Sequence, residues 1–262
     1  MTEHGTALAR RRIWLVTGAI VVTAAMVLGS LYLWSWVGVQ TESQHQTYQR
    51  EASRVEVDTD AVDVAVVAGQ PGRVVVHREL SWSFGKPEVR EVWDGGTLRV
   101  SAGCRSAPRL PGCSVRYRIE VPARTAVEAR TSSGALSVDG LDGDLRLSTT
   151  SGSLTADRLG GVLWARASSG GIRATGLRSP EVDVGSTSGP TELVFAEDPR
   201  QVTASVRSGD FAMRVPPGTG PYAVLLSVKS GNRAVEVDQS GEAANRIDVE
   251  SLSGDVRIQY DE

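Results

Sequence analysis

From Arg54 onward, apolar side chains fall on alternate positions of the chain. Val55 and Val57, then Val62, Val64 and Val66, are separated by polar residues; Val74–Val76, Leu98 and Val100, and Val115, Tyr117, Ile119 and Val121 continue the series. A period of two marks strands with one buried face. Gln70-Pro71-Gly72 and Asp94-Gly95-Gly96 interrupt the runs with turn residues, so the pattern predicts an all-β region of short strands.

The second half adds a repeat. A Ser-Gly pair stands at Ser133-Gly134, Ser151-Gly152, Ser169-Gly170, Ser188-Gly189, Ser208-Gly209, Ser230-Gly231 and Ser253-Gly254, at spacings of 18, 18, 19, 20, 22 and 23 residues. Six residues before each serine are Val127, Leu145, Leu163, Val182, Val202, Val224 and Ile247. Four before are Ala129, Leu147, Ala165, Val184, Ala204, Leu226 and Val249; five after are Val138, Ala156, Ala174, Leu193, Met213, Val235 and Ile258. Three after are Leu136, Leu154, Ile172, Thr191, Phe211, Arg233 and Val256, so Thr191 and Arg233 are the two exceptions in 28 positions. Chance does not produce this in a chain that is 40% hydrophobic.

The buried offsets are even before the serine and odd after it. The chain must therefore bulge or turn at Ser-Gly, where glycine adopts conformations that other residues resist. Each unit predicts one coil of two or more short strands. A coil cannot bury its own face, so about seven coils stack at roughly 4.8 Å over about 30 Å. Stacking would align Ser132-Ser133, Thr150-Ser151, Ser168-Ser169 and Thr187-Ser188. Such a hydroxyl ladder either satisfies turn backbone groups or forms a flat polar binding strip.

The N-terminus breaks the pattern. Ile13 to Val39 contains no charged side chain, is preceded by Arg10, Arg11 and Arg12, and carries Trp14 at one end with Tyr32, Trp34 and Trp36 at the other. Length, basic flank and aromatic belts predict a single transmembrane helix with its N-terminus in the cytoplasm. A cleaved signal peptide has a shorter apolar region and a small-residue cleavage site, so an uncleaved signal-anchor in the plasma membrane is the expectation. The chain then divides into a cytoplasmic tail (1–12), a transmembrane helix (13–39), a polar stalk (40–53), an N-terminal β region (54–125) and the repeat solenoid (126–262).

Composition narrows the chemistry. The 262 residues carry a net charge of −3, and the part beyond residue 39 carries 25 basic and 30 acidic residues. That balance excludes nucleic-acid binding by phosphate neutralisation. The two cysteines, Cys104 and Cys113, flank a loop with Pro108 and Pro111; in an exported chain they read as a structural disulfide. Only three histidines exist, His4, His45 and His77, and His77 reads as an ordinary strand residue. No Gly-x-Ser-x-Gly, His-Glu-x-x-His or phosphate-binding loop occurs, and Asp139 to Asp144 matches no calcium motif. No catalytic residue, metal or cofactor is expected. Trp164 lies between the inward Leu163 and Ala165, where it should face outward, with Arg146 in the same place one coil earlier. It is the candidate surface contact, ahead of Trp82 and Trp93. The last strand (Val256, Ile258, Tyr260) is expected to leave an open sheet edge.

The membrane segment, the run Tyr117-Arg118-Ile119-Glu120-Val121-Pro122 leading into Arg130-Thr131-Ser132-Ser133-Gly134, and the Ser-Gly repeats resemble a bacterial adhesin-like family of unknown function. That family is the toast-rack type of β-solenoid, and the likeness covers roughly residues 54–262. The resemblance implies a fold and a surface-exposed module, and transfers no functional residue. The expected function is a non-enzymatic surface binding or scaffold module with an unidentified protein or glycan partner. The alternatives are an envelope-stress sensor that regulates another membrane protein, and a polysaccharide-acting β-helix enzyme.

Overall fold

The computed structural model describes residues 14, 17–30, 32, 40–83, 85–104, 112–218 and 220–261. A helix, α1, covers 17–30. Trp14 and Tyr32 are helical as well, and among the described residues no helix is long and apolar enough to cross a membrane. Of the span expected over 13–39, residues 13, 15, 16, 31 and 33–39 lie outside the described residues. Trp14 is exposed; Arg10, Arg11, Arg12, Trp34 and Trp36 lie outside the described residues.

The rest is β structure. In chain order the first strands are β1 Gln40–Tyr48, β2 Arg54–Thr59, β3 Val62–Gly69, β4 Val74–Trp82, β5 Glu88–Asp94, β6 Thr97–Gly103 and β7 Cys113–Pro122. The repeat region gives β8 Ala126–Thr131, β9 Leu136–Asp139, β10 Leu145–Thr149, β11 Leu154–Asp157, β12 Leu163–Ser169, β13 Ile172–Leu177 and β14 Glu181–Ser188. It ends with β15 Thr191–Phe195, β16 Gln201–Val206, β17 Phe211–Val215, β18 Tyr222–Val228, β19 Arg233–Glu236, β20 Asn245–Ser251 and β21 Val256–Tyr260.

They form two sheets. The first runs β1-β4-β7-β3-β9-β11-β13-β15-β17-β21-β19, and the second runs β18-β20-β16-β14-β12-β10-β8-β2-β6-β5. Each coil contributes one strand to the second sheet, turns a corner, and contributes the next strand to the first sheet. Within the stack all neighbours are parallel and in the register that the repeat implies: Leu145 pairs with Leu163, Leu163 with Val182, and Val182 with Val202. The inward residues of both sheets meet in one continuous apolar core.

The glycine of each Ser-Gly corner explains the change of parity. A Cβ added at Gly152 would lie 1.8 Å from the carbonyl oxygen of Gly134, and one at Gly170 would lie 2.1 Å from that of Gly152. The corner backbones stack directly on one another, which only glycine allows. The corner hydroxyl that satisfies the backbone lies two residues before the predicted serine. Thr149 Oγ1 is buried and accepts from the Gly152 N–H at 2.9 Å, and Thr131 serves Gly134 in the same way at 3.2 Å. The serines of the pairs, from Ser133 to Ser253, are exposed.

Four expectations are corrected. Residues 40–48 are an edge strand, antiparallel to β4, and not a stalk; the polar side chains that suggested a stalk lie on a strand with little of its surface buried. The N-terminal β region 54–125 is not distinct from the solenoid, because β2 with β3 and β6 with β7 are coils of the same stack, making nine among the described residues. Their corners carry no Ser-Gly pair, so the motif did not reveal them. At the outermost of these corners Cys104 and Cys113 form a disulfide with a Cα–Cα distance of 6.0 Å, joining the end of β6 to the start of β7. Chain order, moreover, is not spatial order: β20 and β21 insert between the β16–β17 and β18–β19 coils. The last strand is consequently interior, and the open edges belong to β18 and β19. Arg233 escapes the apolar column because it lies in this end coil, whereas Thr191 is buried in the column.

The opposite end is closed by antiparallel additions, β4 and β1 on one sheet and β5 on the other. Between them Glu91 is held by three groups: Arg78 Nη1 at 2.7 Å, and the hydroxyls of Tyr48 at 2.8 Å and Tyr117 at 3.3 Å donate to its carboxylate, while Gln44 fixes Arg78 from behind.

Candidate functional site

The outer face of the second sheet carries the most distinctive surface chemistry. Parallel in-register pairing lines up side chains four to five ångströms apart. One row reads Glu56, Glu128, Arg146, Trp164 and Asp183, and the next reads Asp58, Arg130, Ser148, Arg166 and Gly185. Trp164 therefore sits at the middle of the face, on β12, outward as its parity requires.

Its ring is not bare. The guanidinium of Arg146 lies 3.9 Å from the ring centroid and that of Arg166 lies 4.5 Å from it. Arg166 is fixed there by Asp183, to which its Nη2 donates twice at 2.8 and 2.9 Å, and its Nη1 donates to the Asp183 carbonyl at 2.9 Å. Gly185 makes this possible, since a Cβ there would lie 2.7 Å from Arg166 Cδ. Arg146 is different. It is exposed, stacks on Trp164, and has no carboxylate partner among the described residues. A guanidinium placed over indole gains about 0.5–1 kcal/mol at an exposed site and keeps its N–H fork available to a planar anion.

Towards β5 the same face sinks into a shallow open depression of about 490 Å³ lined by Glu56, Asp58, Arg90, Arg99, Glu128 and Arg130. Its glutamates are engaged: Arg99 Nε donates to Glu56 at 2.8 Å, and Arg130 donates to Glu128 at 2.7 Å. Exposed pairs of this kind add little stability but fix a mixed-charge lattice.

The other sequence candidates are dispersed. Trp82 and Trp93 are half-buried against the core, Trp82 beside Lys86 and Trp93 beside Tyr48 and Arg50. Asp139 and Asp144 tie neighbouring coils, through Arg158 and the Val162 N–H respectively, and Asp142 reaches Arg178 two coils on. The exposed corner serines (Ser133, Ser151, Ser169, Ser188, Ser208, Ser230 and Ser253) run along one edge, away from Trp164. No group of three or more metal-ligating side chains occurs among the described residues. Sequence reasoning found Trp164 and Arg146 by parity and repeat; it missed the Arg166–Asp183 latch, for which the absent side chain at Gly185 was the available signal.

Among solved structures, the chain is similar to a proposed cell adhesion protein of Clostridium sporogenes ATCC 15579, at 11% identity and a TM-score of 0.44, over 85% of this chain and 100% of that one. It is also similar to a proposed adhesin of Bacteroides fragilis NCTC 9343, at 12% identity and a TM-score of 0.40, over 82% and 97%. Likeness of this degree carries no argument. No curated protein matches. The Toastrack DUF4097 family matches residues 52–262, a range that takes in all nine coils, and the chain belongs to that family.

Proposed function

We propose that the chain is a membrane-anchored, extracytoplasmic β-solenoid that binds or scaffolds a surface partner without catalysing a reaction. The uncharged run 13–39 behind Arg10–Arg12 supports the anchor, with the N-terminus in the cytoplasm and the solenoid outside the plasma membrane. The observation that carries the binding reading is the Arg146–Trp164 pair. It is a stacked guanidinium with no carboxylate partner among the described residues, at the centre of a sheet face, and it suits an acidic group on a protein or glycan.

Crosslinking on intact cells, followed by identification of what is captured, tests the reading. The parent chain is expected to capture a discrete partner, and Trp164→Ala and Arg146→Ala to reduce capture about tenfold, the loss of roughly 1.4 kcal/mol. Undiminished capture by both variants would remove this face from consideration. Turnover of a polysaccharide by the purified chain would sink the non-enzymatic reading itself.

A further inference from the structure

We propose that His45 and His77 form a binding site for a divalent transition-metal ion, with a geometry suited to copper(II) or nickel(II). The chain has only three histidines, and the two beyond His4 lie 32 residues apart. The fold nevertheless makes them direct cross-strand partners on the antiparallel β1–β4 pair. Their Nδ1 atoms stand 3.0 Å apart, with ring centroids 4.2 Å apart, on the outer face of the first sheet.

Two nitrogens at that separation, each about 2.0–2.1 Å from a metal, subtend roughly 90–100° at the ion. That is the cis angle of a tetragonal copper(II) or octahedral nickel(II) centre, and it is tighter than tetrahedral zinc prefers. The ligand atoms are also oriented. Thr47 Oγ1 lies 3.2 Å from His45 Nε2, and in the tautomer where Nε2–H donates to this hydroxyl, the Nδ1 lone pair faces His77. An outer hydrogen bond of this sort is the usual support of a metal-bound imidazole.

No third histidine, cysteine or carboxylate joins them among the described residues, so water completes the coordination and the ion must approach from solvent. His45 is exposed and His77 half-exposed, which permits this. The nearby charges are already balanced. Arg118, in register beside His77, faces Glu120 at 3.6 Å, and Arg116 is paired with Glu79 at 2.8 Å. A bound ion would clasp β1, an edge strand held on one side only, to the solenoid.

The test uses the untagged full-length chain in mild detergent with His4→Ala, which removes the one other histidine. Titration with copper(II) chloride followed by calorimetry should give one ion per chain. His45→Ala and His77→Ala should each weaken binding at least about tenfold and abolish the rise in melting temperature that copper gives the parent. Electron paramagnetic resonance of the copper complex should show coupling to two imidazole nitrogens. His45→Ala lies on an exposed edge strand, and His77→Asn keeps a polar side chain, so loss of binding in both with an unchanged circular dichroism spectrum is the supporting result. Equal copper affinity in parent and both variants, or no saturable binding below about 100 μM, overturns the proposal and leaves the pair a hydrogen bond between two rings.

Discussion

Single residues in this chain are constrained by the stacking distance. The corner glycines form a column in which each backbone rests on the one before, continued by Gly209 on Gly189, Gly254 on Gly209 and Gly231 on Gly254 at Cβ-to-oxygen distances of 2.1–2.3 Å. Gly152→Ala would force its methyl against the Gly134 carbonyl, a backbone atom that cannot rotate away. A loss of about 2–3 kcal/mol is expected, the scale of core overpacking, measurable as a lower urea midpoint. Gly241→Ala, at a position with nothing within 4 Å, should leave the midpoint nearly unchanged. The columns were legible in the sequence because parity and repeat length are properties of single residues. Thr191 and Arg233 were legible only as exceptions. Nothing in their identity says that one is buried in the middle of the stack and the other solvated at its end.

Strands β1, β4, β5 and β7 act together through Glu91, and their joint behaviour is a matter of ionisation. Burial, followed by the hydrogen bond and charge of Glu91, pushes Tyr48 up to about 12. Burial and then the charge of Glu91 do the same for Tyr117, also to about 12. In the unfolded chain both would titrate near 10. The folded state thus holds its phenolic protons more tightly, so the stabilisation is complete below pH 10 and is lost as pH rises from 10 to 12. For the fully buried Tyr117 the slope reaches about 1.4 kcal/mol per pH unit. Denaturant melts across this range should show the parent losing stability faster than a Tyr48→Phe, Tyr117→Phe variant; parallel profiles would mean that Glu91 does not organise the closed end. None of this could be read from the sequence. Residues 40–48 are too polar to announce a strand, and Glu91 and Arg78 look like surface charges of two ordinary strands until the hairpin brings them inward.

At the scale of the whole molecule, the two ends are built on the same exchange of order. The β2–β3 coil lies inside the later β6–β7 coil, and the C-terminal β20–β21 coil lies inside the earlier β18–β19 coil. Sequence periodicity is blind to this, because every coil offers the same apolar columns and could in principle stack on any other. The Ser-Gly repeat therefore reveals that coils stack and leaves open which neighbours touch. Burial distinguishes the two arrangements. Val249, in the last coil of the chain, is 0% exposed, whereas Val224, in the coil before it, is only half-buried. If stacking followed the sequence, the last coil would be the frayed one. The observed order predicts the reverse: Val249→Ala should cost about 2 kcal/mol as a core deletion, and Val224→Ala under about 1 kcal/mol. Amide exchange should likewise protect β20 and β21 more than β18 and β19, since the end coil has a neighbour on one side only and opens first. A larger penalty at Val224 than at Val249, together with faster exchange in β20, would return the chain to sequential order and restore the C-terminal strand as the open edge.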